Sequence, residues 1–169
     1  DRENHLRGQA LDETAGKLAV LCSRHGVPLI INDDIELAMR CNAAGVHLGK
    51  ADRPLAQARA QLGPNAIIGV SCYDSVERAL DAAAGGADYV AFGRFFPSAS
   101  KPDATRAEPE VLTRAREELT IPLVAIGGIT PDNGGQLLAA GAHLLAAIDG
   151  VFGQPDVESA ARRYTALFV

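Results

Sequence analysis

Val27-Pro28-Leu29-Ile30-Ile31-Asn32-Asp33-Asp34 is the stretch on which the fold turns. A short apolar run closes on three polar residues, and a helical pattern over Ile35–Ala44 follows. A dinucleotide-binding open sheet would carry a G-x-G-x-x-G turn after its first strand. Here the turn is Asn-Asp-Asp. Five more apolar runs repeat the pattern: Val46–Leu48, Ile67–Val70, Tyr89–Phe92, Leu123–Ile126 and Leu144–Ala147. Such runs, without polar alternation, suit a parallel sheet whose two faces are both covered. Helical patterns separate them, over Ala10–His25, Pro54–Leu62, Ser75–Gly85, Pro109–Leu119, Pro131–Ala140 and Asp156–Leu167. Thr130-Pro131 reads as an N-cap followed by proline at the first helical position. Asp74 with Glu77 has capping-box spacing, and helices are expected to stop at Gly26, Gly45, Gly85/Gly86 and Gly141.

Strict strand–helix alternation with short connections predicts an α/β fold. Polar residues gather after nearly every strand, as in a (β/α)8 (TIM) barrel whose loops surround one site. The same small helix stop precedes the strands at Ala44-Gly45-Val46, Gly86-Ala87-Asp88-Tyr89 and Ala140-Gly141-Ala142. Six of eight strands are visible, so the first two are expected upstream of Asp1. The 169 residues then form one TIM-barrel domain, incomplete at its N-terminus.

Composition narrows the function classes. A hydrophobic fraction of 47% and a net charge of −5 fit a folded globular chain. With 16 basic against 21 acidic residues, there is no basic excess for a nucleic-acid partner. No apolar run reaches the roughly 20 residues of a membrane span, and the polar start, Asp1–Ala10, is unlike a signal peptide. Cys22, Cys41 and Cys72 are scattered and odd in number, which reads as buried thiols in a reducing, cytoplasmic setting.

The candidate chemistry lies in the polar clusters. Asp33 and Asp52 follow neighbouring strands and could share a hard cation such as Mg2+. The competing reading, stronger on pattern alone, is that Asp33 or Asp34 caps the helix at Ile35 and Asp52 caps the one at Pro54. Gly127-Gly128, ahead of a helix, suits phosphate or a plain tight turn. With Ile148-Asp149 it occupies the last two loops, where barrels often bind phosphate. The long connection Gly93–Ala107 carries Ser98, Ser100 and Lys101 and reads as a binding loop or a solvated one. His47 and His143 read as packed histidines. Ser71 lacks the G-x-S-x-G setting of a hydrolase nucleophile.

In order and spacing these motifs resemble the thiamine phosphate synthase family. The resemblance rests on Pro28-Leu29-Ile30-Ile31-Asn32-Asp33-Asp34, Gly45-Val46-His47-Leu48-Gly49 with Asp52, and Ile68-Gly69-Val70-Ser71. It continues through Gly86-Ala87-Asp88-Tyr89, Pro97-Ser98-Ala99-Ser100-Lys101 and Ala125-Ile126-Gly127-Gly128-Ile129-Thr130-Pro131, and runs from about Leu11 to Phe168. It implies a transferase of thiamine biosynthesis that joins hydroxymethylpyrimidine diphosphate to a thiazole phosphate with Mg2+. By that resemblance Asp33 and Asp52 hold the metal. Asn32, Ser71 and Lys101 meet the pyrimidine diphosphate, Ser71 and Lys101 in catalytic positions. Ser98, Ser100, Gly128, Ile148 and Asp149 surround the thiazole phosphate. The partners implied are these small molecules, with neither nucleic acid nor membrane, and a homo-oligomer is compatible.

Several positions depart from the family pattern: Lys50 stands for Gln, Tyr73 for His and Asp149 for Ser or His. The family's Gln-x-Arg-x-Lys cluster would precede Asp1, with Arg2 as a remnant of its last basic position. The rival readings are a thiazole tautomerase of the same fold, a sugar-phosphate epimerase or isomerase, and a non-catalytic barrel that binds thiamine precursors.

Overall fold

The structure, a computed structural model, describes residues 8–49, 54–97 and 106–168. Six parallel strands form one sheet in the order in which they occur along the chain: β1 (Ile30–Asn32), β2 (Gly45–Leu48), β3 (Ile67–Tyr73), β4 (Tyr89–Phe92), β5 (Leu123–Ile126) and β6 (Leu144–Ala146). A doubly wound sheet reverses its order at a switch point. This sheet never reverses, which is the strand order of a TIM barrel. The helices are α1 (Gln9–Arg24), α2 (Ile35–Arg40), α3 (Leu55–Leu62), α4 (Val76–Ala84), α5 (Glu110–Glu118), α6 (Pro131–Ala139), α7 (Asp149–Phe152) and α8 (Val157–Thr165).

Alternation along the strands divides core from cavity. Val46 and Leu48 of β2 and Ile68 of β3 pack with Ile35 and Ala58 of the helices. Val70, Cys72, Val90, Phe92, Leu123 and Ala125 pack with Val76, Ala79, Leu112, Ala115 and Leu137. The intervening residues, His47, Ser71, Tyr73, Tyr89, Ala91, Val124, Ile126 and Ala146, line a cavity on the other face. The strands therefore do alternate, with an apolar set toward the helices and a mixed set toward the cavity, polar at His47, Ser71 and Tyr89 and apolar at Val124 and Ile126.

Several boundaries differ from the sequence reading. The first strand begins at Ile30 because the preceding residues close α1: Gly26 is left-handed (φ 64°), and the Val27 N–H donates to Cys22 O at 3.0 Å. Helix α2 stops before Gly45. Asn42 takes the left-handed turn (φ 52°), and the Ala43 N–H donates to Ala38 O at 2.9 Å. Gly45 is a strand residue. Asp74 does not cap α4: the cap is Ser75, whose Oγ accepts from the Arg78 N–H at 3.1 Å. The stops at Gly85/Gly86 and Gly141 stand as expected. At α6, the Thr130 N–H donates to Asn133 Oδ1 at 2.8 Å, and Pro131 opens the helix.

The three cysteines are free thiols, but only Cys72 is buried; Cys22 and Cys41 are half-buried. His143 is the packed histidine expected. Its Nδ1 accepts from the Leu123 N–H at 3.0 Å, its Nε2 adjoins the Arg116 guanidinium, and desolvation followed by the Arg116 charge lowers its pKa. Among the described residues no helix is long and apolar enough to cross a membrane.

Candidate active site

A cavity of about 610 Å³ opens at the C-terminal ends of the strands, the end at which parallel β/α folds place their chemistry. Each strand delivers its last inward residue or its first loop residue to it: Asn32, His47, Ser71 and Tyr73, Gly93 and Arg94, Gly127 and Gly128, and Ile148 and Asp149.

His47, Ser71 and Tyr89 form a connected chain across β2, β3 and β4. Tyr89 Oη lies 2.9 Å from His47 Nδ1, and His47 Nε2 lies 2.8 Å from Ser71 Oγ. The tyrosine and imidazole rings also stack, with centroids 5.5 Å apart. Burial pushes the Tyr89 phenol up to about 12, so it stays protonated, and a phenol donates more readily than it accepts. With the imidazole proton on Nε2, Tyr89 O–H donates to Nδ1 and Nε2–H donates to Ser71 Oγ, which leaves the Ser71 hydroxyl hydrogen to donate into the cavity. Gly69 makes the arrangement possible, because a Cβ there would overlap the Tyr89 ring. The sequence reading took His47 for a packed core residue; the structure puts it in the cavity wall.

The Asn-Asp-Asp turn resolves the capping question for its own residues. Asp34 is the cap of α2, its Oδ1 accepting from the Leu37 N–H at 2.8 Å. Asp33 is thereby released from that role. It is exposed, left-handed (φ 67°), and accepts from Asn32 Nδ2 at 2.6 Å. Tyr73 is left-handed as well (φ 59°), at the point where the β3–β4 register slips between Ser71 and Tyr73. Such outliers and bulges collect near functional sites. Arg78 supports this rim, its Nε donating to Ser71 O at 2.8 Å and its guanidinium lying over the Tyr73 ring at 5.9 Å.

On the other side, the start of the β4–α5 loop interlocks with the β5–α6 turn. Phe96 N–H donates to Gly127 O at 3.0 Å. A Cβ at Gly127 would lie 2.7 Å from Arg94 Cα, and one at Gly128 would lie 2.8 Å from Phe96 O, so only glycine permits this approach of two backbones. The interlock sets the entry to the Ser98–Lys101 segment against the glycine pair. Ser98, Ser100, Lys101, Asp52, Lys50 and Arg2 themselves lie outside the described residues.

Ile148 caps the short helix α7, which the sequence reading treated as loop. The Asp149 carboxylate folds back along that helix, and a Cβ at Gly153 would sit 3.0 Å from its Cγ. The sequence reading did not assign a site role to the cavity-wall residues His47, Tyr89 and Arg94, nor to Arg78 behind the rim. Their signal was available in part, since His47, Ser71 and Tyr89 all fall on the inward phase of their strands.

A profile of the thiamine monophosphate synthase family matches residues 2–151. The chain is 53% identical over 157 residues to a thiamine-phosphate synthase of Thioalkalivibrio sulfidiphilus, spanning 93% of this chain and 74% of the relative. It is 59% identical over 158 residues to one of Azoarcus sp., spanning 94% and 76%. In three dimensions it matches a thiamine phosphate pyrophosphorylase from Pyrococcus furiosus with a TM-score of 0.88 and 34% identity, over 96% of this chain and 77% of that one. A 3-hexulose-6-phosphate synthase matches with a TM-score of 0.68 at 19% identity, over 90% of this chain and 80% of that one, a likeness of fold alone.

Proposed function

The chain belongs to the thiamine monophosphate synthase family, and from that premise we propose that it joins hydroxymethylpyrimidine diphosphate to a thiazole phosphate. The products are thiamine phosphate and pyrophosphate. The thiazole nitrogen lone pair forms a C–N bond to the pyrimidine methylene carbon, whose C–O bond to diphosphate breaks. The diphosphate leaves with the bonding electrons. The aminopyrimidine ring spreads the positive charge that develops. What the protein must supply is placement of the two substrates and stabilisation of the leaving charge.

The observation that carries this reading is the convergence of Asn32, the Tyr89–His47–Ser71 chain and the Gly127–Gly128 turn on one cavity. Ser71 donates its hydroxyl hydrogen to the pyrimidine diphosphate, with Asn32 beside it and Lys101 opposing the leaving charge. Gly128 and the first-turn N–H groups at Asp149 and Gly150, which have no acceptor within their helix, receive the thiazole phosphate together with Ser98 and Ser100. The back-folded Asp149 carboxylate leaves that position without repelling the phosphate.

Asp33 has the chemistry of a magnesium ligand: an exposed carboxylate oxygen beside the cavity, released from capping by Asp34. Asp33 and Asp52 would hold the ion, the remaining positions falling to water and diphosphate oxygens, as is usual for this small hard cation. When bound, the ion neutralises charge on the departing diphosphate. In this reading the protein is cytoplasmic and its partners are its small-molecule substrates.

The experiment is to supply both substrates with Mg2+ or with a chelator and to follow thiamine phosphate and pyrophosphate. Equimolar products that depend on Mg2+ are expected. Turnover of a sugar phosphate without Mg2+, or binding of both precursors with no product, would overturn the reading.

A further inference from the structure

Among the described residues one buried side-chain nitrogen or oxygen has no hydrogen-bond partner, and it is Nε of Arg94. The other arginines shielded by the fold are satisfied. Arg59 binds Asp88 at 2.6 Å and four backbone carbonyls, and Arg78 binds the carbonyls of Ser71 and Gly49. Arg40, Arg106, Arg114, Arg162 and Arg163 each face a carboxylate. A buried polar group without a partner is rare in native folds and costly when it carries charge. Arg94 therefore differs from Arg59 and Arg78, the other described arginines that the fold partly covers.

Its surroundings define what it awaits. Arg94 lines the cavity beside Gly127, Gly128, Thr130, Ile148 and Asp149. Its stem lies close over Gly127, where a Cβ would be 2.9 Å from Arg94 Cγ as well as 2.7 Å from its Cα. Asp149 is the one carboxylate among the described cavity-lining residues, and it packs against Gly153 without pairing to Arg94. A planar guanidinium is suited to oxyanions, which it can grip with two parallel N–H bonds, and the neighbouring Gly127–Gly128 backbone, at positive φ in both residues, leaves room for an anion to approach its N–H groups.

We propose that Arg94 is a specificity-determining residue that grips the phosphate of the thiazole substrate from the side of the β4–α5 loop, opposite the backbone N–H groups after β6. This rests on the reading of the reaction given above. It assigns to Arg94 the discrimination between a phosphorylated acceptor and its alcohol, and no part in the departure of diphosphate.

The test uses Arg94→Met, which keeps an apolar stem over Gly127, and Arg94→Lys, which keeps the charge without the fork. The midpoint of thermal unfolding is followed against inorganic phosphate at constant ionic strength, which reads phosphate binding without turnover. The parent should be stabilised by phosphate. Arg94→Met should bind it about tenfold or more weakly, the cost of losing a charge-assisted hydrogen bond, and Arg94→Lys should recover part. In turnover, Arg94→Met should raise KM for the thiazole phosphate at least about tenfold. KM for the pyrimidine diphosphate and turnover of the non-phosphorylated thiazole alcohol should be unchanged. A parent indifferent to phosphate, an equal response in Arg94→Met, or an effect confined to the pyrimidine diphosphate would each overturn the assignment. If the parent makes no thiamine phosphate, the reaction reading falls, while the phosphate titration still decides the role of Arg94.

Discussion

Replacing Tyr89 by Phe removes one oxygen and leaves the ring over Gly69. The loss has two parts. The 2.9 Å bond to His47 Nδ1 disappears, a net contribution of about 0.5–1.5 kcal/mol, and Nδ1 loses that partner within a half-buried site, which adds about 1–3 kcal/mol if no other donor replaces it. A destabilisation of about 1.5–4.5 kcal/mol is expected with both parts in force, measured by urea unfolding as a lower midpoint at unchanged slope. Nitrogen NMR of the His47 ring supplies the sharper readout. In the parent the proton should reside on Nε2, fixed there by the phenol. In Tyr89→Phe that bias should fall away, and Ser71 should lose its fixed donor orientation. Because the chain is continuous, Tyr89→Phe and Ser71→Ala should be non-additive, with a coupling of about 0.5–3 kcal/mol in a double-mutant cycle. A parent imidazole protonated on Nδ1, or strict additivity of the two substitutions, would refute the polarity derived for the chain.

Adjacent aspartates should separate cleanly. Asp34→Ala should cost about 0.5–2 kcal/mol of stability through the lost cap of α2, measured by urea unfolding, whereas Asp33→Asn should leave stability within about 0.5 kcal/mol and lower the Mg2+-dependent rate by orders of magnitude. Alkaline pH should weaken the fold. Burial raises both Cys72 and Tyr89 to about 12 from ordinary values of 9.0 and 10.0, so the folded chain holds protons that the unfolded chain releases. The stability they contribute is fully present below pH 9, declines as pH rises from 9 toward 12, and should decline less steeply in Cys72→Ala and Tyr89→Phe; flat unfolding free energies across pH 9–11 would contradict this. Gly69→Ala should cost about 1–3 kcal/mol by forcing a methyl group into the Tyr89 ring, measured by urea unfolding.

Much of the architecture was legible because its signals are local. Strand–helix alternation, the proline after Thr130 and the glycine stops at 85/86 and 141 each act through a few neighbouring residues. The misplacements came where two local devices competed for the same residues. Val27 has strand propensity, but its N–H is needed to close α1. Asn42 did the work assigned to Gly45, since a short polar side chain also tolerates the left-handed turn. Asp74 and Ser75 are both good caps, and backbone direction chose Ser75. At the site, Asp33, Asn32, Ser71 and Gly128 could be picked out by their position after strands. The inward phase of His47 and Tyr89 was readable, but their linkage to Ser71 and the seat of Arg94 depend on which strand lies beside which and on how closely two turns approach. Those are properties of the assembled sheet, and no single segment encodes them.

The unreversed order of the strands bears on how the molecule is made. Every ladder joins a strand to the one synthesised just before it, so no pairing need wait for a distant segment, and chain growth itself can template the sheet. The ladders that align Asn32, His47, Ser71 and Tyr89 require nothing beyond β4. The contacts that seat Arg94 against Gly127 require β5 and its turn. The wall of the cavity built from β1 to β4 can thus be assembled on the ribosome before the β5 turn that closes on Arg94 has been translated.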